Sequence, residues 1–449
     1  MPDSNFSQNP INRCREIYKS LPAGGLFSGL NWLIAEKPFE LSEKIYNEIE
    51  SLGRVLLQFY RAENLLYRFS YEGKQPVWVA EYLDKGKPSK IIELQRKVKF
   101  KNELPRVIRP DLLLTEQGLV LTELDSVPGG IGLTAWLNEI YSKYTDEKHC
   151  NIIGGSDGMI EGFASIFSDA KQVKIIVSKE SATYLPEMKW MASKLGEKFS
   201  VHSEDYTGFQ PGDAVYRFFE LFDFQNINNF QSLIELSLND KIYITPPLKA
   251  FLEEKMWFGF LWNRNLKQFW RRELGESFFE RLLKIVPYTW IIDPAPLPPQ
   301  GAYPKIELTD WNQLKMLSQK RRNLILKISG FSEDAWGARG VYLGSDISAE
   351  DWAKVVDVAI NSFNKNPYIL QEYKKPMRFM VAGYNPLEDK MLEFEGRVRL
   401  SPYYFVSGEW TNARAQLCGI LATICPSDKK IIHGMKDSIL APCCCRYND

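Results

Sequence analysis

Four charged side chains stand two apart at the ends of two short apolar runs: Arg109 and Asp111 in RPDLLLTEQG, Glu123 and Asp125 in LVLTELDSVPGG. Residues two apart on a strand share a face, so the members of each pair point the same way. An odd-length connection around TEQG would set Asp111 opposite Glu123 and Arg109 opposite Asp125. A two- or four-residue connection would put the carboxylates on opposite faces. In the odd register Leu113 and Leu121 join the charged face, while Leu112, Leu114, Val120 and Leu124 make the other face apolar. Three carboxylates with one guanidinium are costly to bury unless paired or metal-bound. Hard oxygen ligands with open positions suit Mg2+ held jointly with phosphates. The plainer alternative is a surface hairpin with solvated charges and a structural Arg–Asp pair.

The segment SVPGGIG follows directly and leads into GLTAWLNEIYSKY. It reads as a glycine turn entering a helix, a layout whose backbone N–H groups cradle anions. Carboxylates beside an anion cradle point to phosphoryl chemistry.

Other chemistries find few residues. There are three histidines, His149, His202 and His433, and HExxH does not occur. His433, in IIHGMKD, has the most site-like setting, although a lone histidine more often serves as a structural hydrogen-bonder. The seven cysteines are odd in number and widely spread, which does not read as a secreted disulfide framework. The run Cys443-Cys444-Cys445 has no CxxC partner, and three adjacent thiols do not converge easily on one ion. The terminal RYND does not match a prenylation signal.

The elements that must position these groups divide along the chain. At 449 residues there is room for about two to four domains. Fifty-six basic residues balance 56 acidic ones, which removes any global electrostatic case for nucleic acid or an anionic membrane. Without an apolar run of about 18 residues or a basic-then-apolar start, a cytoplasmic protein without membrane spans is expected. Residues 1–104 read as a helical region, with Ser42 capping LSEKIYNEIESLGRVLLQFYRAENLLYRF. Residues 105–147 carry the hairpin and the glycine loop. Residues 148–240 alternate strand and helix: KQVKIIVS, TYLPEMKWMASKLGEK, KFSVHS, GDAVYRFFEL. They predict a small parallel sheet without a GxGxxG fingerprint. Residues 241–449 begin aromatic-rich and largely helical and pass through the proline-rich DPAPLPPQGAYP. They continue with a strand at LILKISGFS, a helix capped by Ser348, and antiparallel strands.

The order Arg-x-Asp, then Glu-x-Asp, resembles the magnesium hairpin of circularly permuted ATP-grasp proteins similar to glutathionylspermidine synthase. In that family the second pair is usually Glu-x-Asn, and Asp125 departs from it by adding charge. Ordinary ATP-grasp enzymes place the metal carboxylates after the nucleotide lysines. Here they come before, so the resemblance implies the permuted order. PPLKAFLEEKMWFGFLW is similar to the family segment with a first nucleotide lysine, matching Lys255. LILKISGFSEDAWGARGVYLG is similar to the strand with a second phosphate lysine, matching Lys327, and its flap. PYILQEY resembles the adenine hinge, implicating Gln371, Glu372 and Tyr373. RVRLSPYYFVSG resembles the closing strands, with Arg399 near the transferred phosphate.

The resemblance covers about 105–144 and 171–449. It implies a mixed α+β and α/β chain: a permuted ATP-grasp fold, a small Rossmann-like pre-ATP-grasp domain and a helical N-terminal region. It further implies ATP and Mg2+, a small-molecule carboxylate and an amine as substrates, and ADP-forming ligation through an acyl phosphate. Asp111, Glu123 and Asp125 would hold the metal, and Arg109 and Arg399 would stabilise the transferring group. Plain readings stand beside these. Lys327 would be a solvated edge residue, Lys255 a helix flank, and Gly337, Gly340 and Gly344 ordinary turns. An inactive ATP-grasp scaffold and a phosphotransferase are the alternative functions.

Overall fold

The computed structural model describes residues 9–29, 32–145, 150–335, 339–409, 411–432 and 437–446. His149, His433 and Gly337 lie outside them. The opening stretch forms a hairpin, Val107–Thr115 with Gly118–Asp125, and its turn has two residues, Glu116 and Gln117. An even turn by itself would separate the carboxylates. A bulge prevents this: Leu112 pairs with Leu121, but Asp111 pairs with Glu123, leaving Thr122 as the extra residue. The Thr122 hydroxyl donates to the Asp111 carbonyl at 3.1 Å. Arg109 therefore faces Asp125, as the odd register required. On the turn side of the bulge Leu113 faces Val120 and Leu121 faces Leu112, so Leu113 and Leu121 do not both join the charged face as expected.

The chain divides into two compact units, one of residues 1–57, 102–248 and 376–449, the other of 58–101 and 249–375. The first contains a nine-stranded sheet, counted over the described residues. Its spine is the 18-residue strand Lys390–Ser407, which pairs with Arg378–Asn385, with Arg414–Pro426 and with the hairpin strand Val107–Thr115. Ile439–Arg446 adds beyond Arg414–Pro426 and also pairs with Leu33–Ala35, Phe39–Ser42 and Asn151–Ile152. These short N-terminal strands are a departure from the helical reading of 1–104. Three- and four-residue strands are too short to show a period of two, and their order comes from pairing with the chain's far end.

The same unit holds a four-stranded parallel sheet in the order Phe199–Ser203, Val173–Val177, Asp213–Phe218, Ile242–Thr245. Its first three strands are those expected from sequence. The helix Leu185–Leu195 joins the first two, as a parallel pair demands.

The second unit is built on an antiparallel sheet, Thr289–Ile291, Tyr368–Glu372, Leu324–Ile328, Val341–Leu343. Trp290, Trp311, Leu326, Trp352, Val356 and Leu370 close its core. The helix Ala349–Asn361 contributes Trp352 and Val356, and Ser348 caps it by accepting from the Asp351 N–H at 3.0 Å.

Cys443, Cys444 and Cys445 lie in the strand Ile439–Arg446, so neighbouring side chains leave on opposite faces. Cys444 is disulfide-bonded to Cys150, 5.6 Å away between Cα atoms. The sequence reading, which saw no disulfide framework, did not anticipate this bridge. The pairing spans 294 positions, which no local spacing reveals. No helix among the described residues is long and apolar enough to cross a membrane.

Candidate functional site

In the first unit the hairpin charges meet a second row of side chains. Arg399, Ser401 and Tyr403 alternate along Lys390–Ser407 and so share one face. The strand lies beside Val107–Thr115, with Arg399 paired to Leu113. Asp111, 3% exposed, accepts from Ser401 Oγ at 2.9 Å and pairs with Arg399 at 3.2 Å and Arg109 at 3.4 Å. Arg109 Nη2 reaches Asp125 at 2.9 Å, and Asp125 also accepts from the Val127 N–H at 2.8 Å. Arg109, Asp111, Asp125 and Arg399 thus form one network, and Glu123 stands opposite Asp111 in the ladder.

The carboxyls and guanidiniums of this network shift one another. Burial, then Glu123 and Asp111, push the Asp125 carboxyl above its ordinary value, against the pull of Arg109 and the Val127 N–H. Burial opposes the charge on Arg109, but Asp111, Asp125, Tyr403 and Glu123 outweigh it and hold the guanidinium well above its usual range. Among the described residues no three His, Cys, Asp or Glu side chains stand as a ready metal cage. Mg2+ typically uses one or two carboxylates plus substrate phosphates, so the hard oxygen donors here fit that ion when phosphate supplies the rest.

The glycine loop differs from its sequence reading. Gly130 takes φ +85°, a conformation glycine adopts freely, and caps the helix Ile131–Ser142. The N–H groups expected to cradle an outside anion are taken by the chain itself. The fully buried Glu187 accepts from Gly130 N at 2.7 Å and Leu133 N at 3.0 Å. The Gly129 carbonyl accepts from Tyr403 Oη at 2.7 Å and from Arg109 Nη1 at 3.3 Å.

In the second unit Lys327 lies in the strand Leu324–Ile328, 6% exposed, not solvated at an edge. Its Nζ donates to Gln371 Oε1 at 3.1 Å, and Gln371 Nε2 donates to Thr289 Oγ1 at 3.0 Å. Lys255 immediately precedes the helix Met256–Trp262, and its Nζ donates to the Ala335 carbonyl at 2.6 Å. The peptide around it is fastened to Ser329: Lys255 N donates to Ser329 O, Met256 N to Ser329 Oγ, both at 2.9 Å. Ser329 Oγ in turn donates to Glu254, which forms a buried ion pair with Lys87. The two lysines therefore stand on one connected frame. In the expected hinge, Glu372 N donates to Tyr288 O at 3.0 Å and Tyr373 N to Asn323 O at 3.3 Å, so both amides already serve the protein. Lys374 and Lys305 outweigh burial and lower the Glu372 carboxyl.

Sequence reasoning missed Ser401 and Tyr403, although their spacing from Arg399 in RLSPYY carried the signal. It also missed Glu187 and the Lys87–Glu254–Ser329 chain, whose partners are too distant in sequence to suggest one another.

No protein-family model matches the chain, and no curated protein matches its sequence. Among solved structures, a glutathione synthetase-like effector from Globodera pallida in apo form is similar over 98% of both chains, with TM-score 0.58 and 11% identity. At that identity the likeness is one of fold. A second, described as a candidate γ-glutamylcysteine synthetase from Methylobacillus flagellatus, covers 81% of this chain and 87% of its own at 12% identity. Its TM-score of 0.40 is too low to establish a shared fold. The chain thus has a mixed α+β architecture with the fold of a glutathione synthetase-like protein.

Proposed function

We propose that the protein is an ATP-dependent, ADP-forming carboxylate–amine ligase with a circularly permuted ATP-grasp fold. The observation that carries this reading is the network of Asp111, Asp125, Arg109 and Arg399, with Glu123 facing Asp111: acidic groups with guanidiniums interleaved among them. The glutathione synthetase-like fold and the buried Lys327 support it.

On this reading Lys327 and Lys255 hold nucleotide phosphates as point charges. Gln371 orients the Lys327 ammonium, and the segment Gln371–Glu372–Tyr373 meets the base. Glu123 and Asp125, with Asp111, would hold Mg2+, which when bound offsets charge on the phosphate oxygens. Arg109 and Arg399 steady the transferring phosphoryl group as a substrate carboxylate attacks it, without a protein nucleophile. An amine then displaces phosphate from the acyl phosphate. The four sequence segments, 1–104, 105–147, 148–240 and 241–449, are the domain organisation proposed with it.

A second reading has one specific observation in its favour. Asp111 and Asp125 are engaged by arginines, and Asp125 replaces the usual Asn, so the chain could retain the fold as a binding scaffold. ADP release across a panel of acids and amines separates the two. The ligase reading expects Mg2+-dependent release that falls at least a hundredfold in Lys327→Met and Glu123→Gln. Release in neither the wild type nor the variants, under any acid–amine pair, favours the scaffold.

A further inference from the structure

We propose that Glu187 is the positioning residue of the acidic network: it closes the N-terminus of the helix Ile131–Ser142 from within and thereby sets Arg109 between Asp111 and Asp125. The inference rests on the reading of that network as the metal- and phosphate-handling end of a ligase.

One peptide group links Glu187 to Arg109. The Gly129 carbonyl and the Gly130 N–H belong to the same planar unit. Its N–H donates to Glu187 Oε1 at 2.7 Å, and its carbonyl accepts from Arg109 Nη1 at 3.3 Å and Tyr403 Oη at 2.7 Å. Rotating this plane to free one end breaks the bonds at the other, so Glu187 and Arg109 are mechanically linked. The surroundings leave little slack. A Cβ on Gly129 would lie 2.1 Å from the Tyr184 ring, one on Gly130 2.6 Å from the Tyr403 hydroxyl, and one on Gly132 2.4 Å from the Glu187 carbonyl.

The carboxylate also occupies the place an outside anion would take. It sits at the positive end of a 12-residue helix and accepts two backbone N–H bonds, which offset part of the cost of its complete burial. A phosphate could enter only by expelling it. The loop is therefore part of the frame that aims Arg109. The charged and titratable groups around Glu187 include Arg109, Tyr184, Tyr216 and Tyr403. Burial raises all three tyrosines, so they stay neutral near pH 7. Burial also pushes the Glu187 carboxyl up to about 7, against its backbone hydrogen bonds and Arg109.

The test is a cycle of Glu187→Gln and Arg109→Lys, read by Mn2+ affinity and by hydrogen exchange at Gly130 and Leu133. Gln keeps the shape but can offer only one accepting oxygen. In the wild-type background Glu187→Gln is expected to weaken Mn2+ binding at least tenfold, the lower end for a residue that supports metal ligands, and to raise exchange at both amides. In the Arg109→Lys background the same change should cost under about twofold, because its route is already cut. Equal losses in the two backgrounds, or unchanged affinity and exchange in folded Glu187→Gln, overturn the inference. Absence of Mn2+ binding by the wild type is a different result. It overturns the metal reading itself, and this inference with it.

Discussion

Asp111 is both a candidate ligand and a structural anchor, which governs how it can be tested. Its side chain is almost fully buried and engages Arg109, Arg399 and Ser401. Removing one partner of a buried ion pair strands the others, at a cost of about 3–5 kcal/mol. Asp111→Ala should therefore lower unfolding stability by about 3 kcal/mol in urea titration. Glu123→Gln, at a half-buried position, should change it by under about 1 kcal/mol. If both variants lose Mg2+-dependent turnover, the loss in Glu123→Gln is the informative one, since its fold is unimpaired. A stability loss as large in Glu123→Gln as in Asp111→Ala would mean that Glu123 is a structural residue. The four hairpin charges were legible from spacing two apart. Their register was not, because it depends on Thr122, a bulge residue that looks like an ordinary strand position.

At the scale of elements, local chemistry was most readable where one side chain satisfies its own segment. Ser348 is such a case, with its hydroxyl accepting from the Asp351 N–H three residues on. Ser348→Ala should cost about 1 kcal/mol, seen as a lower thermal midpoint for the unit that carries Ala349–Asn361. No change would mean that neighbouring packing, chiefly the buried Trp352, fixes the helix start without the cap. The three parallel strands of 173–218 were legible as short apolar runs, the first two separated by a helical period. Elements that exist only through distant pairing were not. Leu33–Ala35 and Phe39–Ser42 are ordered by Ile439–Arg446, some four hundred positions away, and no window of sequence around either end shows it. The glycine loop shows the same lesson in a site. SVPGGIG announces a tight turn into a helix, but the carboxylate filling it comes from Glu187, in another helix.

For the whole molecule, two groups of residues carry the account, each described within its own unit: the Asp111 network in one, the Lys327–Gln371 and Lys255–Ser329 frame in the other. The resemblance to permuted ATP-grasp proteins is what assigns them to one reaction. On the proposed ligase reading both groups act on one magnesium nucleotide. The decisive measurement is calorimetric titration of a non-hydrolysable ATP analogue with and without Mg2+. Binding is expected to tighten at least tenfold with Mg2+. Lys327→Met should abolish binding, and Glu123→Gln should remove only the metal dependence. No nucleotide binding by the wild type, or binding whose metal dependence is unchanged in Glu123→Gln, would contradict that reading.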